Sequence, residues 1–362
     1  MSGMGIKRSA ITLFAVIAAG TAAANERECA WGDLFGAGTI SVLVENDKFS
    51  SFDTAKQTDR NFTNGVRLNW MSEPLTCRSS LHRLSDTLPD WLFAGGRNTR
   101  AGVAIGQNIY TPEDISRRDL VRADRPYSGW TYVAFALTAD PTAQVPRPDG
   151  NGRGRGRLDT LELQLGVVGP ESYAEQTQKE WHKLIGARPP LGWNNQLKNE
   201  PGMALFYERK WRRQETPLPN LGWLQVDATP HIGGSVGNVF TYAAAGATFR
   251  IGNDLSVDYG PPRIRPGLAG SMSFDKPSDG VAYYAFFGFE GRAVARDITL
   301  DGNSFARSHS VDRRPLVGDL QMGLALVVGP LRGTFSYVMR TREFDGQRNP
   351  DRFGALSVSY RY

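Results

Sequence analysis

The chain has 362 residues, with 42 Lys and Arg against 37 Asp and Glu, a formal charge of +5 and a mean hydropathy of −0.37. After the first residues no apolar run is long enough to cross a bilayer as a helix, which excludes a helical membrane protein. Glycine (40) and proline (21), with 18 Phe, 12 Tyr and 8 Trp, suit many short strands joined by turns.

The N-terminus reads as an export signal. Lys7 and Arg8 give a basic start, residues 10–19 are apolar, and Ala22, Ala23 and Ala24 offer a small-residue cleavage site before Asn25. That apolar stretch is too short for a membrane anchor. Residues 1–24 are therefore set aside and 25–362 taken as one folded domain. Export delivers Cys29 and Cys77 to an oxidising compartment, where a disulfide between them is expected. Two unpaired thiols are the alternative, and without CxxC spacing a structural zinc is not indicated. The basic balance of an exported chain points to anionic lipid or lipopolysaccharide, not to nucleic acid.

From residue 38 onward the repeated signal is alternation. Ile40, Val42 and Val44 interleave with Ser41, Leu43 and Glu45, and Leu161, Leu163, Leu165 and Val167 interleave with Glu162, Gln164 and Gly166. Strands are expected near 38–46, 62–71, 100–108, 129–138, 157–168, 203–212, 223–234, 238–251, 281–296, 313–328, 331–343 and 353–362. At the C-terminus Leu356, Val358, Tyr360 and Tyr362 share one face, and Ser357, Ser359 and Arg361 the other. A period-two strand ending on an aromatic residue is how outer-membrane barrels end. The fold expected is all-β: an antiparallel transmembrane barrel of about twelve strands, an even number as single-chain bacterial barrels have. The long connections at 48–61, 110–128 and 169–201 all follow odd-numbered strands and so share one end, taken as external. The long connection at 72–99 falls at the other end, with no evident role.

Within 169–201, residues 173–185 lack Gly and Pro and favour helix. Gln178 and His182 are spaced four apart, and Gly186 with Pro189 and Pro190 stops the run. A helix in a barrel loop suggests a covered site, and His182 stands out among His82, His182, His231 and His309. A second polar cluster is Glu45-Asn46-Asp47 at the end of the first strand with Thr58-Asp59-Arg60-Asn61-Phe62-Thr63-Asn64-Gly65 at the start of the next; if the two strands pair, Asp47 and Thr63 approach one another near one rim. Such oxygen ligands at a rim suit a hard cation such as calcium; ordinary loop polarity is the alternative. Asp124 and Arg125 enter a strand and are expected to pair with each other. Gly233-Gly234-Ser235-Val236-Gly237 is a literal GxSxG, but a strand follows it where a nucleophile elbow needs a helix. It reads as a hairpin turn.

Taken in order, Val44-Glu45-Asn46-Asp47, Thr58-Asp59-Arg60-Asn61-Phe62-Thr63-Asn64-Gly65, Gly106-Gln107-Asn108-Ile109-Tyr110-Thr111-Pro112, Asp124-Arg125-Pro126-Tyr127, residues 166–170, residues 178–187 and residues 193–197 resemble the lipid A 3′-O-deacylase family of outer-membrane enzymes. The resemblance runs from Val44 to Leu197. It implies a twelve-stranded barrel, a calcium-dependent site between the wall and a loop helix, and hydrolysis of the ester holding the 3′ acyloxyacyl chain of lipid A. By the same resemblance the catalytic set is His182, Asn46, Asp47 and Thr63, calcium falls to Asp47 with Asn46 and Thr63, and Arg117, Arg118 and Gln178 bind substrate. Where some members carry Lys-Arg this chain has Arg117-Arg118, which keeps the charge and changes the geometry. An acidic residue found shortly after the His in some members is Arg188 here, which leaves open what orients His182. The implied partner is lipid A or lipopolysaccharide in the outer membrane, with a monomer expected. Two rivals remain: a non-enzymatic pore or structural barrel, which requires an open lumen, and a phospholipase using Ser235 with His231.

Overall fold

The computed structural model describes residues 36–50, 59–75, 87–93, 98–142, 156–213, 215–219, 221–267 and 269–362. The signal segment, His82, and Cys29 and Cys77 with the disulfide expected between them lie outside the described residues.

The strands are β1 (Gly38–Asn46), β2 (Asn61–Ser72), β3 (Thr99–Thr111), β4 (Ser128–Ala139), β5 (Gly156–Val168), β6 (Glu200–Arg212), β7 (Thr216–Leu218), β8 (Leu221–Gly237), β9 (Phe240–Asn253), β10 (Val281–Asp297), β11 (Leu316–Val328), β12 (Leu331–Arg340) and β13 (Asp351–Arg361). Each pairs antiparallel with its neighbour in sequence, except that β6 pairs with β8; β1 meets β13, and the β6–β8 pairing closes the ring. β7 is a three-residue ribbon lying on β8 alone. The wall is thus the expected twelve-stranded barrel, with no sheet edge left open. Pro230 interrupts β8 just before its β6 pairing begins at His231, so its missing N–H costs no bond on that side.

Alternation sets which way each side chain points. Ile40, Val42, Val66, Leu68, Val103, Ile105, Val133, Phe135, Leu356 and Val358 are exposed on the outer surface, while Ser41, Arg67, Asn69, Glu162, Gln164, Ser357 and Ser359 are buried inside. An apolar outside with a polar inside is the arrangement a bilayer demands. No helix among the described residues is long and apolar enough to cross a membrane; the strands do so.

The lumen is filled. Between β9 and β10 the chain folds back into the barrel around residues 263–266. Arg263 makes a two-pronged pair with Glu45 (2.6 and 3.0 Å), and the Ile264 amide donates to the same carboxylate at 2.8 Å. Arg265 reaches Glu208 at 2.9 Å, and Arg340 donates to the Pro266 carbonyl at 3.1 Å. Arg67 and Glu162 add an ion pair across the interior at 2.7 Å. Charges this deep persist because they are paired and hydrogen-bonded.

Part of the long 72–99 connection also has a place. Phe93 packs on Leu137 and Ala139, with Leu88, Ala101 and Leu161 alongside. Arg209 and the Tyr207 hydroxyl donate to the Leu92 carbonyl at 2.8 and 2.6 Å. Residues 87–93 thus form a collar on the wall at the end away from β1's last residue.

Candidate active site at the outer rim

The outer rim is the end of the barrel where β1, β3 and β5 finish. Asn46 is the last residue of β1, and Asp47 opens a single 3-10 turn, Asp47–Ser50. Asn46 Oδ1 accepts from the Lys48 amide at 2.8 Å, and Ser50 Oγ donates to the Asp47 carbonyl at 2.7 Å. Across from them β2 begins with a bulge. Phe62 pairs with Tyr110 and Asn64 with Ile109, so Thr63 is the extra residue. Phe62 turns inward against Tyr110, Val338 and Phe353. Thr63 turns the other way, its Oγ1 2.7 Å from that of Thr111, which shares the outward parity of Val103 and Ile105. Asn46, Thr63 and Thr111 therefore face the outside of the wall.

The loop helix, α1 (Ala174–Ile185), lies on that same outside. Before it the chain turns sharply through Gly169 (φ 102°) and Tyr173 (φ 56°). The Ser172 carbonyl accepts from Gln107 Nε2 and Thr131 Oγ1, both at 2.7 Å, and both of these point outward. Gly129 permits the close approach: a Cβ there would stand 2.2 Å from Ala174 Cβ and from Ser172 Oγ. Ala174, Gln178 and His182 recur at i, i+4 and i+8 and form the buried face, resting near Ile109, Ile115, Tyr127 and Trp193. Gly186, at φ 67°, caps the helix by donating to the carbonyls of His182 and Lys183.

His182 is 3% exposed and held at both ring nitrogens. Nδ1 lies 2.5 Å from the Arg188 carbonyl and Nε2 lies 3.0 Å from Asp59 Oδ1. Burial alone would lower its pKa, but hydrogen bonds to the Asp59 carboxylate and the Arg188 carbonyl outweigh it and raise the value above the ordinary one. The next residue, Arg60, donates its amide to Asp47 Oδ2 at 3.1 Å. The dipeptide Asp59-Arg60 thus links His182 to Asp47. Arg188 holds the imidazole through its backbone, and Asp59 supplies the carboxylate; sequence reasoning placed Asp59 in the rim cluster and a motif but gave it no role toward His182.

Gln178 accepts from Trp193 Nε1 at 2.9 Å, while its buried Nε2 has no partner among the described residues. Arg117 and Arg118 are exposed on the 112–127 connection, where the Arg118 carbonyl accepts from Asn195 at 2.8 Å. Asp114, on the same connection, accepts from the Ser116 hydroxyl and amide. Its carboxyl is held below the usual range mainly by the Ser116 hydroxyl, with Arg117 and Arg188 assisting.

Asp47 is buried, with Asn46 before it in the chain and Thr63 on the strand that pairs with β1. This all-oxygen set with one carboxylate fits a hard cation. No group of three His, Cys, Asp or Glu side chains converges on a metal position among the described residues, so neutral oxygens and water would complete a shell. The other singled-out residues have different duties. Asp124 Oδ1 accepts from the Arg125 amide, while the Arg125 guanidinium goes to Glu343 (3.2 Å) and Thr299 (2.5 Å); the two side chains do not pair, and Arg125 ties neighbouring loops together. His309 Nε2 meets the Asp124 carbonyl at 2.8 Å, and His231 Nε2 meets Glu290 at 3.1 Å. Ser235 Oγ donates to the Phe240 carbonyl at 3.0 Å across a hairpin, not to His231.

A family model described as "Outer membrane protein LpxR" matches residues 10–362. Among solved structures, LpxR from Salmonella typhimurium superposes with a TM-score of 0.68 at 20% identity, covering 90% of this chain and 100% of that one. The beta domain of the Bordetella autotransporter BrkA (TM-score 0.40, 12% identity, 90% and 98% coverage) and the NalP translocator domain of Neisseria meningitidis (TM-score 0.36, 10% identity, 90% and 89% coverage) are more distant. A comparison with curated proteins returns no match.

Proposed function

Because the chain belongs to the LpxR family of outer-membrane lipid A 3′-O-deacylases, we propose that it hydrolyses the ester of the 3′ acyloxyacyl chain at this rim, with His182 as general base. The observation that carries the reading is placement. His182 lies on the buried face of α1, which rests on the outside of the wall, and is linked through the dipeptide Asp59-Arg60 to Asp47. A lipid held in the leaflet reaches such a site without leaving it.

In the neutral ring Nδ1–H donates to the Arg188 carbonyl, which fixes the tautomer and leaves Nε2 to accept a proton. Nε2 takes a proton only from a water standing where Asp59 Oδ1 now meets it, so the Asp59 carboxylate turns aside, keeping its charge beside the ring, as that water attacks the ester carbonyl. Collapse of the tetrahedral intermediate breaks the bond to the sugar oxygen, which recovers the proton from the imidazolium. Asp59 is thus a carboxylate partner of the imidazole, on the nitrogen opposite the one that the Arg188 carbonyl holds. The unpartnered Gln178 amide is a ready donor to substrate, and Arg117 and Arg118 suit a lipid A phosphate. Asp47, with Asn46 and Thr63, would hold calcium, which supplies positive charge for the developing oxyanion.

The pore reading needs an open lumen, and residues 263–266 occupy it. The Ser235 reading needs a Ser–His contact that the Phe240 carbonyl pre-empts. Mass spectrometry of lipid A from cells carrying the protein tests the proposal. Loss of the mass of the 3′ acyloxyacyl chain is expected with the wild type and not with His182→Gln; unchanged lipid A with both would overturn it.

A further inference from the structure

α1 has one exposed apolar flank with no protein partner among the described residues. At about 3.6 residues per turn, Thr177, Trp181 and Leu184 fall within an arc of about 60°, and Tyr173 is the residue that precedes the helix. Tyr173, Trp181 and Leu184 are 65%, 47% and 76% exposed, and Ile185 adjoins them at 48%. The opposite flank carries Glu175 and Lys179, which form an ion pair.

The return segment shows which flank is up. Leu191 donates its amide to the Ile115 carbonyl (2.8 Å) and Leu197 to that of Tyr127 (3.0 Å). Residues 191–197 are thereby fixed to the 112–127 connection, which continues β3 and β4 beyond the rim. Gln196 then meets Glu175 at 3.4 Å, so the charged flank faces away from the membrane. The apolar flank faces the other way, down the outer wall. The wall there is the lipid band itself: Gln107 and Thr131, which anchor the start of α1, stand two residues from exposed Ile105 and Val133 on the same strands.

We propose that α1 is an interfacial helix, with Tyr173, Trp181 and Leu184 immersed among the acyl chains of the outer leaflet. The occupant is lipid because the flank continues the band that the barrel already presents to lipid, and because aromatic residues at such a boundary keep a polar edge wet and a ring dry. The helix becomes a fixed lip of the membrane surface, which borders the acyl chains of the leaflet and carries His182 on its wall-facing side. The proposal concerns where the helix sits and does not depend on His182 being the base.

The test places an environment-sensitive fluorophore at Leu184→Cys and, as control, at Lys179→Cys. The full chain is reconstituted in phosphatidylcholine vesicles with brominated acyl chains, and wild type treated identically gives the background from Cys29 and Cys77. The label at 184 is expected to emit at shorter wavelength and to be quenched several-fold more than the label at 179. Equal quenching at both positions would overturn the proposal. So would a blue shift at 184 that bromine does not quench and that grows with the protein-to-lipid ratio, because that identifies a second copy as the occupant. Neither readout needs activity, so failure of the hydrolytic reading leaves the test intact.

Discussion

His182 faces two acceptors, an arrangement that favours its protonated form. A general base must first lose that proton, so activity should rise with pH through a value above the ordinary 6.5. Asp59→Asn removes the carboxylate that supports the charge; the rising limb should move to lower pH, and kcat/KM on its plateau should fall. A limb that stays in place would separate Asp59 from the base. Stability has the opposite sign: the folded pKa is raised, so this contribution is complete below 6.5 and is lost as pH climbs through the raised value. His182→Gln should cost about 10² to 10⁴ in rate with folding unchanged. For Asp47, chelation by EDTA should abolish activity and calcium restore it, whereas Asp47→Ala should respond to neither; full activity in chelator would remove the cation. His182 was legible from its helix, but its partner was not, because Asp59 lies 123 positions away. Thr63 was legible as a motif residue, yet its outward aim depends on a one-residue bulge that composition does not reveal.

At the scale of elements, α1 works only if it lies flat on the wall, and Gly129 is the seat. Gly129→Leu should lift the start of the helix, since even a Cβ meets Ala174 and Ser172 at 2.2 Å. Deacylation should drop at least tenfold, about 1.4 kcal/mol in barrier, while the β-type circular dichroism spectrum stays as it was. Unchanged activity would mean that the seat is slack. The helix itself was visible in the sequence because residues 173–185 contain neither Gly nor Pro and Gly186 follows. The lumen-filling segment was invisible. Pro261, Pro262, Pro266 and several glycines look like any loop, and nothing in their spacing says that Arg263 will find Glu45.

Over the whole molecule the wall was read correctly because membrane strands repeat one rule, lipid side against lumen side, twelve times. The interior obeys no repeat and had to be seen. Its Glu45–Arg263 pair fixes residues 263–266 to β1 one residue before Asn46, so the filling also braces the site from below. Arg263→Ala leaves a buried carboxylate unpaired and should cost about 3–5 kcal/mol, read as a lower midpoint for the heat-induced mobility shift on gels. Adding Glu45→Gln should return part of that loss. If the single variant unfolds like wild type, the filling contributes nothing to stability.

The outward position proposed for the site would also change what concentration means for this enzyme. A pocket open to water samples molecules per litre. A pocket on the flank of a barrel samples molecules per unit area of the sheet around it. In mixed micelles, then, the rate should follow the mole fraction of lipid A, and adding inert detergent at constant bulk lipid A should slow the reaction as if substrate had been removed. In the cell the enzyme would respond to how crowded its own leaflet is, a quantity that the surrounding medium does not report.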